Sequence, residues 1–320
     1  MAVFTPLDQS TVEAFVDGYE LGVLVRWHGI QEGVENSNFY VETSQNRSIL
    51  TIYEKRVRKE DLPFFLGLME HLAAAGVPCP VPLHDREGRV LRTLHGKPAA
   101  LVSFLDGRST RTITPDHCRA LGEALAGLHE AGRGFVLERE NDLGVHGWGR
   151  LVAMIGERAD EVEPGLAAEL AKELAYLQAA WPRTLPAGVI HADLFPDNVF
   201  FADTAVSGLI DFYFSCNDQL AYDLAICLDA WCFLGDGSLD LARSAALLAG
   251  YQARRRLGPA ERAALPLLCR GAAFRFLLTR LYDWLNHPEG ALVTPKDPTE
   301  YLRLNRFHRH VTDAAAYGLR

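Results

Sequence analysis

The chain has 320 residues, of which 48% are hydrophobic and 23% charged, enough apolar surface to offset chain entropy and too little charge for a disordered polypeptide. That length exceeds what one hydrophobic core usually serves, so two lobes are the first expectation. With 32 basic and 41 acidic residues the formal charge is −9, a field that repels nucleic acid and anionic membranes, so neither is an expected partner. The cysteines at 79, 118, 216, 227, 232 and 269 contain no C-x-x-C pair, which argues against a disulfide framework and a thiolate zinc site. Residues 1–18 lack a basic flank before an apolar core and no 18-residue apolar run follows, so a cytoplasmic location is expected.

Apolar residues at 12, 15 and 16 behind Ser10 or Thr11 predict a short leading helix ended by Gly18. Residues 24–27, 39–41 and 48–53 read as three strands. A loop with Gly29 and Gly33 separates the first two, and such a loop serves either as a plain hairpin or as a lid whose amides approach phosphates. Apolar positions 62, 65, 66, 68, 69 and 72 predict a helix closed by Gly76, after which Pro78, Pro80 and Pro82 forbid helix or central strand. Residues 90–94 and 99–105 predict a hairpin turning at Gly96. Beyond Gly107 the period changes: Thr114 and Pro115 open a helix that Gly132 ends, and helical spacing recurs over 150–163, 165–181, 219–233, 240–256, 259–286 and 298–317. The expected division is an N-terminal sheet lobe, residues 1–104, and a larger mainly helical lobe, residues 105–320, an α+β architecture.

The chemistry concentrates in residues 191–198, His-Ala-Asp-Leu-Phe-Pro-Asp-Asn, with apolar runs on either side and Asp211 at the end of a further apolar run. Moving a phosphoryl group needs divalent metal on the phosphate oxygens and a carboxylate to orient the acceptor hydroxyl. Asp193, Asn198 and Asp211 suit those roles: the H-x-D-x-x-x-x-N spacing aims an aspartate at the acceptor while the asparagine reaches metal across the turn. His191 is expected to tie loop backbone rather than move protons, and Asp197 to form the turn after Pro196. Asp223 opens a helix, where it caps that helix and fastens the loop, or touches substrate.

These segments, with Leu-Ile-Asp-Phe at 209–212 and Ala-Tyr-Asp-Leu-Ala at 221–225, resemble the aminoglycoside phosphotransferase and choline kinase superfamily, which shares the protein kinase fold. Residues 32–39, 49–54, 62–65 and 76–82 are similar to the bacterial homoserine kinases built on that fold. The resemblance implies ATP-dependent phosphorylation of L-homoserine on the way to threonine, with Asp193 as catalytic aspartate and Asn198 and Asp211 as Mg2+ ligands. It further implies Gly33, Ser37 and Asn38 over the ATP phosphates, and backbone at Ser103, Phe104 and Leu105 against adenine. Where most members carry a phosphate-pairing lysine on the third strand this chain has Thr51; either Lys55, Arg56 or Arg92 supplies the charge, or loop amides and metal suffice.

A zwitterionic acceptor calls for a carboxylate and an arginine. The helical lobe offers Asp218, Asp229 and Asp283 with Arg275 and Arg280, and Tyr213, Trp231 and Trp284 as walls; Tyr213, Asp218, Arg275, Arg280 and Trp284 are the candidates carried forward. Two rival readings stay open: a kinase of the same fold for choline, ethanolamine, methylthioribose or an aminoglycoside, and a silent nucleotide-binding scaffold. Nothing in the sequence specifies an oligomeric state.

Overall fold

The computed structural model describes residues 5–30, 36–54, 57–287 and 295–319. They form two compact units: residues 1–107 with Ser207–Tyr213, and residues 108–206 with 214–320.

In the first unit α1 (Gln9–Val16) starts at Asp8, whose carboxylate accepts from Thr11 N at 2.8 Å, so the cap lies two residues before the expected Ser10. The carboxylate outcompetes the hydroxyls because it is ionised and meets the helix's unsatisfied amides. Five strands follow: β1 (Leu24–Gly29), β2 (Ser37–Thr43), β3 (Arg47–Ile52), β4 (Arg92–Leu94) and β5 (Lys97–Ser103). They pair antiparallel in the order β1-β2-β3-β5-β4. Alternation puts Phe39 and Val41 of β2 and Leu50 and Ile52 of β3 against Val12, Phe15 and Val16 of α1. Each such side chain contributes about 1.5–3 kcal/mol by leaving water. Between β3 and β4 runs α2 (Leu62–Ala74), burying Leu62, Phe65, Leu68, Met69 and Leu72. Gly76, at φ +86°, lets the chain leave α2 in the left-handed region that other residues resist.

The second unit is built on helices. α3 (Pro115–Ala131) opens with Thr114 and His117 in reciprocal capping bonds. α4 (Val145–Ile155) begins earlier than its spacing suggested and ends sooner, because Gly156 turns to φ +56° and a 3-10 turn carries residues 156–161. α5 (Leu166–Ala180) leads to β6 (Ala187–Ile190), β7 (Val199–Ala202), β8 (Ala205–Leu209), whose residues from Ser207 on belong to the first unit, and β9 (Cys216–Gln219); β6 and β9 pair antiparallel. Then come α6 (Leu220–Trp231), α7 (Leu241–Arg254), the 27-residue α8 (Pro259–Leu285) and α9 (Pro298–His308). The expected continuous helix over 298–317 is two pieces: α9 stops at His308, and Asp313 caps a fresh 3-10 turn, Ala314–Tyr317, by accepting from Ala315 N. Val311 and Thr312, both β-branched, occupy the break. Trp148, Leu125, Leu224, Trp231, Phe274 and Leu277 lie in the core of this unit.

Candidate active site

In the second unit β6 delivers the chain into residues 191–198 with its backbone fixed at nearly every step. Ala192 sits at φ +65°, a conformation that costs a non-glycine residue on the order of 1–3 kcal/mol and persists only when its surroundings impose it. They do so from both sides. Asp223 accepts from His191 N and Ala192 N, each at 2.8 Å, and Arg275 Nη1 donates to Ala192 O at 2.6 Å. The His191 ring is buried, and its Nδ1 accepts from Asp193 N at 3.3 Å. Trp231 Nε1 donates to Leu194 O at 2.7 Å. A 3-10 turn, Pro196–Asn198, then brings Asn198 Nδ2 to within 2.8 Å of Asp193 O and 3.1 Å of its Oδ2. The five-residue spacing thus places the two side chains against each other, Asp193 half-buried and oriented by the amide.

Asp223 does not cap α6. Gln219 is the N-cap residue, and Asp223 stands a turn inside, where its carboxylate faces the loop. Burial pushes this carboxyl up, but hydrogen bonds and charge from His129, with the loop amides, outweigh it and hold the group below the usual aspartate range. His129 Nε2 lies 3.1 Å from Asp223 Oδ2.

Asp211 and Tyr213 belong to the first unit. Asp211 is at φ +65°, and burial raises its carboxyl to about 6, only partly opposed by the amide of Tyr213. The Tyr213 ring packs edge-on against Tyr53 and Phe65, and its hydroxyl lies 3.1 Å from that of Tyr53. Thr51 Oγ1, where a lysine was looked for, donates to Asn38 Oδ1 at 2.8 Å. Ser37 is buried and donates to Glu54 Oε1 at 2.8 Å, while Lys97 pairs with the other oxygen of Glu54. Arg92 is committed elsewhere, donating to Phe15 O and lying over the Phe15 and Tyr19 rings. Gly33, Lys55 and Arg56 lie outside the described residues. β5 ends at Ser103, whose amide bonds Val81 O; Phe104 packs on Tyr40 under Arg47, and Leu105 continues beyond the ladder.

The acceptor candidates separate. Asp218 on β9 accepts from Asn141 Nδ2 and Gln219 N, both at 2.7 Å, with its carboxyl raised by burial. Arg275 is buried and bonded to the loop, so its guanidinium serves backbone. Arg280, a turn further along α8, pairs with Glu300 and stacks over Tyr301 at 4.3 Å. Tyr301 in turn meets Phe195 of the loop and Phe276, and Lys296 lies over Phe195 at 5.3 Å. Trp284 is 43% exposed. Asp229 is bonded to His308 Nε2 at 2.9 Å, and Tyr317 occupies the other ring nitrogen at 2.7 Å. Sequence reasoning did not single out His129, Lys296 or Tyr301. A histidine inside an apolar helical face was the one available signal, and it fits a core histidine equally well.

The fold and this loop define a phosphoryl-transfer protein of kinase-like architecture. The profile of the phosphotransferase enzyme family matches residues 26–257. A homoserine kinase of Xanthobacter autotrophicus is 59% identical over 319 residues, covering 100% of this chain and 99% of that one. Another from Rhizobium etli is 58% identical with the same coverage. Among solved structures, an amicoumacin kinase in complex with AMP-PNP, Ca2+ and Ami is similar with a TM-score of 0.71 at 14% identity, over 95% of this chain and 92% of that one. An aminoglycoside phosphotransferase from Alicyclobacillus acidocaldarius follows with a TM-score of 0.65 at 16% identity, over 98% and 95%. The chain belongs to the phosphotransferase enzyme family and, within it, groups with the homoserine kinases. No helix among the described residues is long and apolar enough to cross a membrane.

Proposed function

We propose that this chain transfers the γ-phosphoryl group of ATP to the hydroxyl of L-homoserine, an early step toward threonine. Full-length identity near 58% with homoserine kinases supports the reaction, and the bonded Asp193–Asn198 pair on an immobilised loop is the observation that carries the mechanism.

Asp193 orients the homoserine hydroxyl toward the phosphorus and accepts its proton as the bond forms. Asn198 holds Asp193 through Nδ2, which directs the amide oxygen elsewhere, the atom suited to a hard cation. Asp211 is also assigned to metal: its carboxyl is desolvated and raised to about 6, with only a backbone amide opposing burial, so its charged form would be favoured beside a divalent ion. Mg2+ is the ion assigned, and when bound it neutralises the phosphate oxygens. Asn38 and the backbone from Ser103 to Leu105 serve the nucleotide; Ser37 commits its hydroxyl to Glu54 and supports that region. With Thr51 bonded to Asn38 and Arg92 committed to Phe15 O, phosphate charge is left to the metal and loop amides or to Lys55 or Arg56.

For the acceptor, Arg280 over Tyr301 and Lys296 over Phe195 place cations on the aromatic side of the loop, each beside one carboxylate, Glu300 and Asp197. Either cation suits a carboxylate, which choline and ethanolamine lack. Asp218 is assigned to the ammonium. Asp193→Ala tests the mechanism: transfer from labelled ATP falls about 10³-fold, within the usual span for loss of a positioned acid or base. Near-normal transfer would remove Asp193 from the role.

A further inference from the structure

Behind the loop, Asp223 continues into a chain of buried side chains that phosphotransfer leaves without a role. His129 on α3 meets Asp223 Oδ2 through Nε2 and the Tyr251 hydroxyl through Nδ1, the latter at 2.8 Å. That hydroxyl accepts from Arg255 Nη1 at 3.0 Å, and Arg255 Nη2 donates to Glu261 Oε1 at 2.7 Å. Glu261 Oε2 accepts from Gly258 N at 2.9 Å, fixing the far end at the start of α8. All five side chains are buried.

The chain has a direction. A guanidinium only donates, so Tyr251 receives the Arg255 hydrogen and turns its own toward His129 Nδ1. Nε2 then carries the ring hydrogen and donates to Asp223, the tautomer that suits a carboxylate already accepting from His191 and Ala192. α7 reaches this position by backbone-to-backbone contact with α3. A Cβ at Gly122 would stand 2.1 Å from Leu247 O, and one at Gly250 would stand 2.0 Å from Arg119 O. Only glycines permit that approach, and it sets Tyr251 against His129. Stability alone gives little reason for a buried Arg–Glu pair, since apolar side chains of equal volume do as well or better; orientation of the hydrogen bonds is what the pair adds.

We infer that Tyr251, Arg255 and Glu261 are positioning residues for phosphotransfer: they set His129 so that Asp223 holds the strained turn at Ala192 and, through it, Asp193. The kinetic arm of the test rests on the homoserine kinase reading; an exchange arm does not. Tyr251→Phe keeps the ring and removes the hydroxyl. It lowers kcat about tenfold, which is about 1.4 kcal/mol, leaves both KM values within about twofold, and speeds amide exchange over residues 189–194 but not over 62–74. Glu261→Gln gives the same pattern, smaller. Leu248→Ala, a core truncation on the same helix, serves as the stability control and keeps both kcat and exchange over 189–194. Unchanged kcat and exchange in Tyr251→Phe, or equal losses in Leu248→Ala, would overturn the inference. If the wild type ignores homoserine, the exchange arm alone still decides, so the two failures separate.

Discussion

Asp223→Asn is the sharpest perturbation of the loop. The carboxylate accepts from His191 N and Ala192 N at 2.8 Å and from His129 at 3.1 Å, with no side-chain exposure to solvent. An amide keeps the shape but turns one acceptor into a donor, so at least one amide hydrogen is left facing another. An unsatisfied buried donor costs about 1–3 kcal/mol. A loss of about 1–3 kcal/mol is expected. The turn at Ala192 then relaxes and Asp193 shifts; a displacement of about 1 Å lowers rate on the order of 10²-fold. Urea unfolding with an unchanged slope measures the first quantity, and steady-state kinetics under folding conditions the second. Loss of less than about 1 kcal/mol together with kcat within about threefold would refute the account of how the loop is held.

Arg275→Met separates loop support from substrate binding: because the guanidinium bonds Ala192 O, kcat should fall with KM for homoserine within about twofold, whereas a carboxylate-binding arginine would raise KM more than about tenfold. Asp211 predicts a pH dependence. Its folded carboxyl is raised to about 6 from the ordinary aspartate value of about 4, so the folded state binds the extra proton between those values. The Asp211 contribution to metal-free stability is therefore fully present below pH ~4 and is lost as pH rises through ~6, by at most about 3 kcal/mol, on top of the opposite trend from carboxyls such as Asp223 that folding lowers. Thermal melts across that window check it; an identical slope in Asp211→Asn would contradict the assignment. Gly250→Ala places a Cβ 2.0 Å from Arg119 O, so chemical denaturation should register a loss of about 3 kcal/mol, because the obstacle is backbone.

The parts legible in the sequence are those whose cause is local. Thr114 and Pro115 announce α3 because capping chemistry acts within one turn, and H-x-D-x-x-x-x-N announces the loop because a five-residue turn brings Asn198 to Asp193. What escaped is contact between distant residues. His129 and Asp223 are 94 positions apart, and Arg275 meets Ala192 across 83, so nothing in the local pattern distinguishes a loop-holding arginine from a substrate-binding one. Asp8 shows the smaller kind of miss: the cap was sought at Ser10 or Thr11 and lies two residues earlier, decided by charge. The stop of α9 at His308 was hidden because Leu302, Leu304 and Tyr317 keep an apolar spacing that runs past the break.

The central claim is tested most directly by following the purified chain with ATP and Mg2+ over a panel of homoserine, choline, ethanolamine, methylthioribose and kanamycin, reading ADP release and the phosphorylated product. O-phosphohomoserine formed with homoserine, and little turnover on the others, is the predicted result. Turnover of another acceptor with none on homoserine would contradict it.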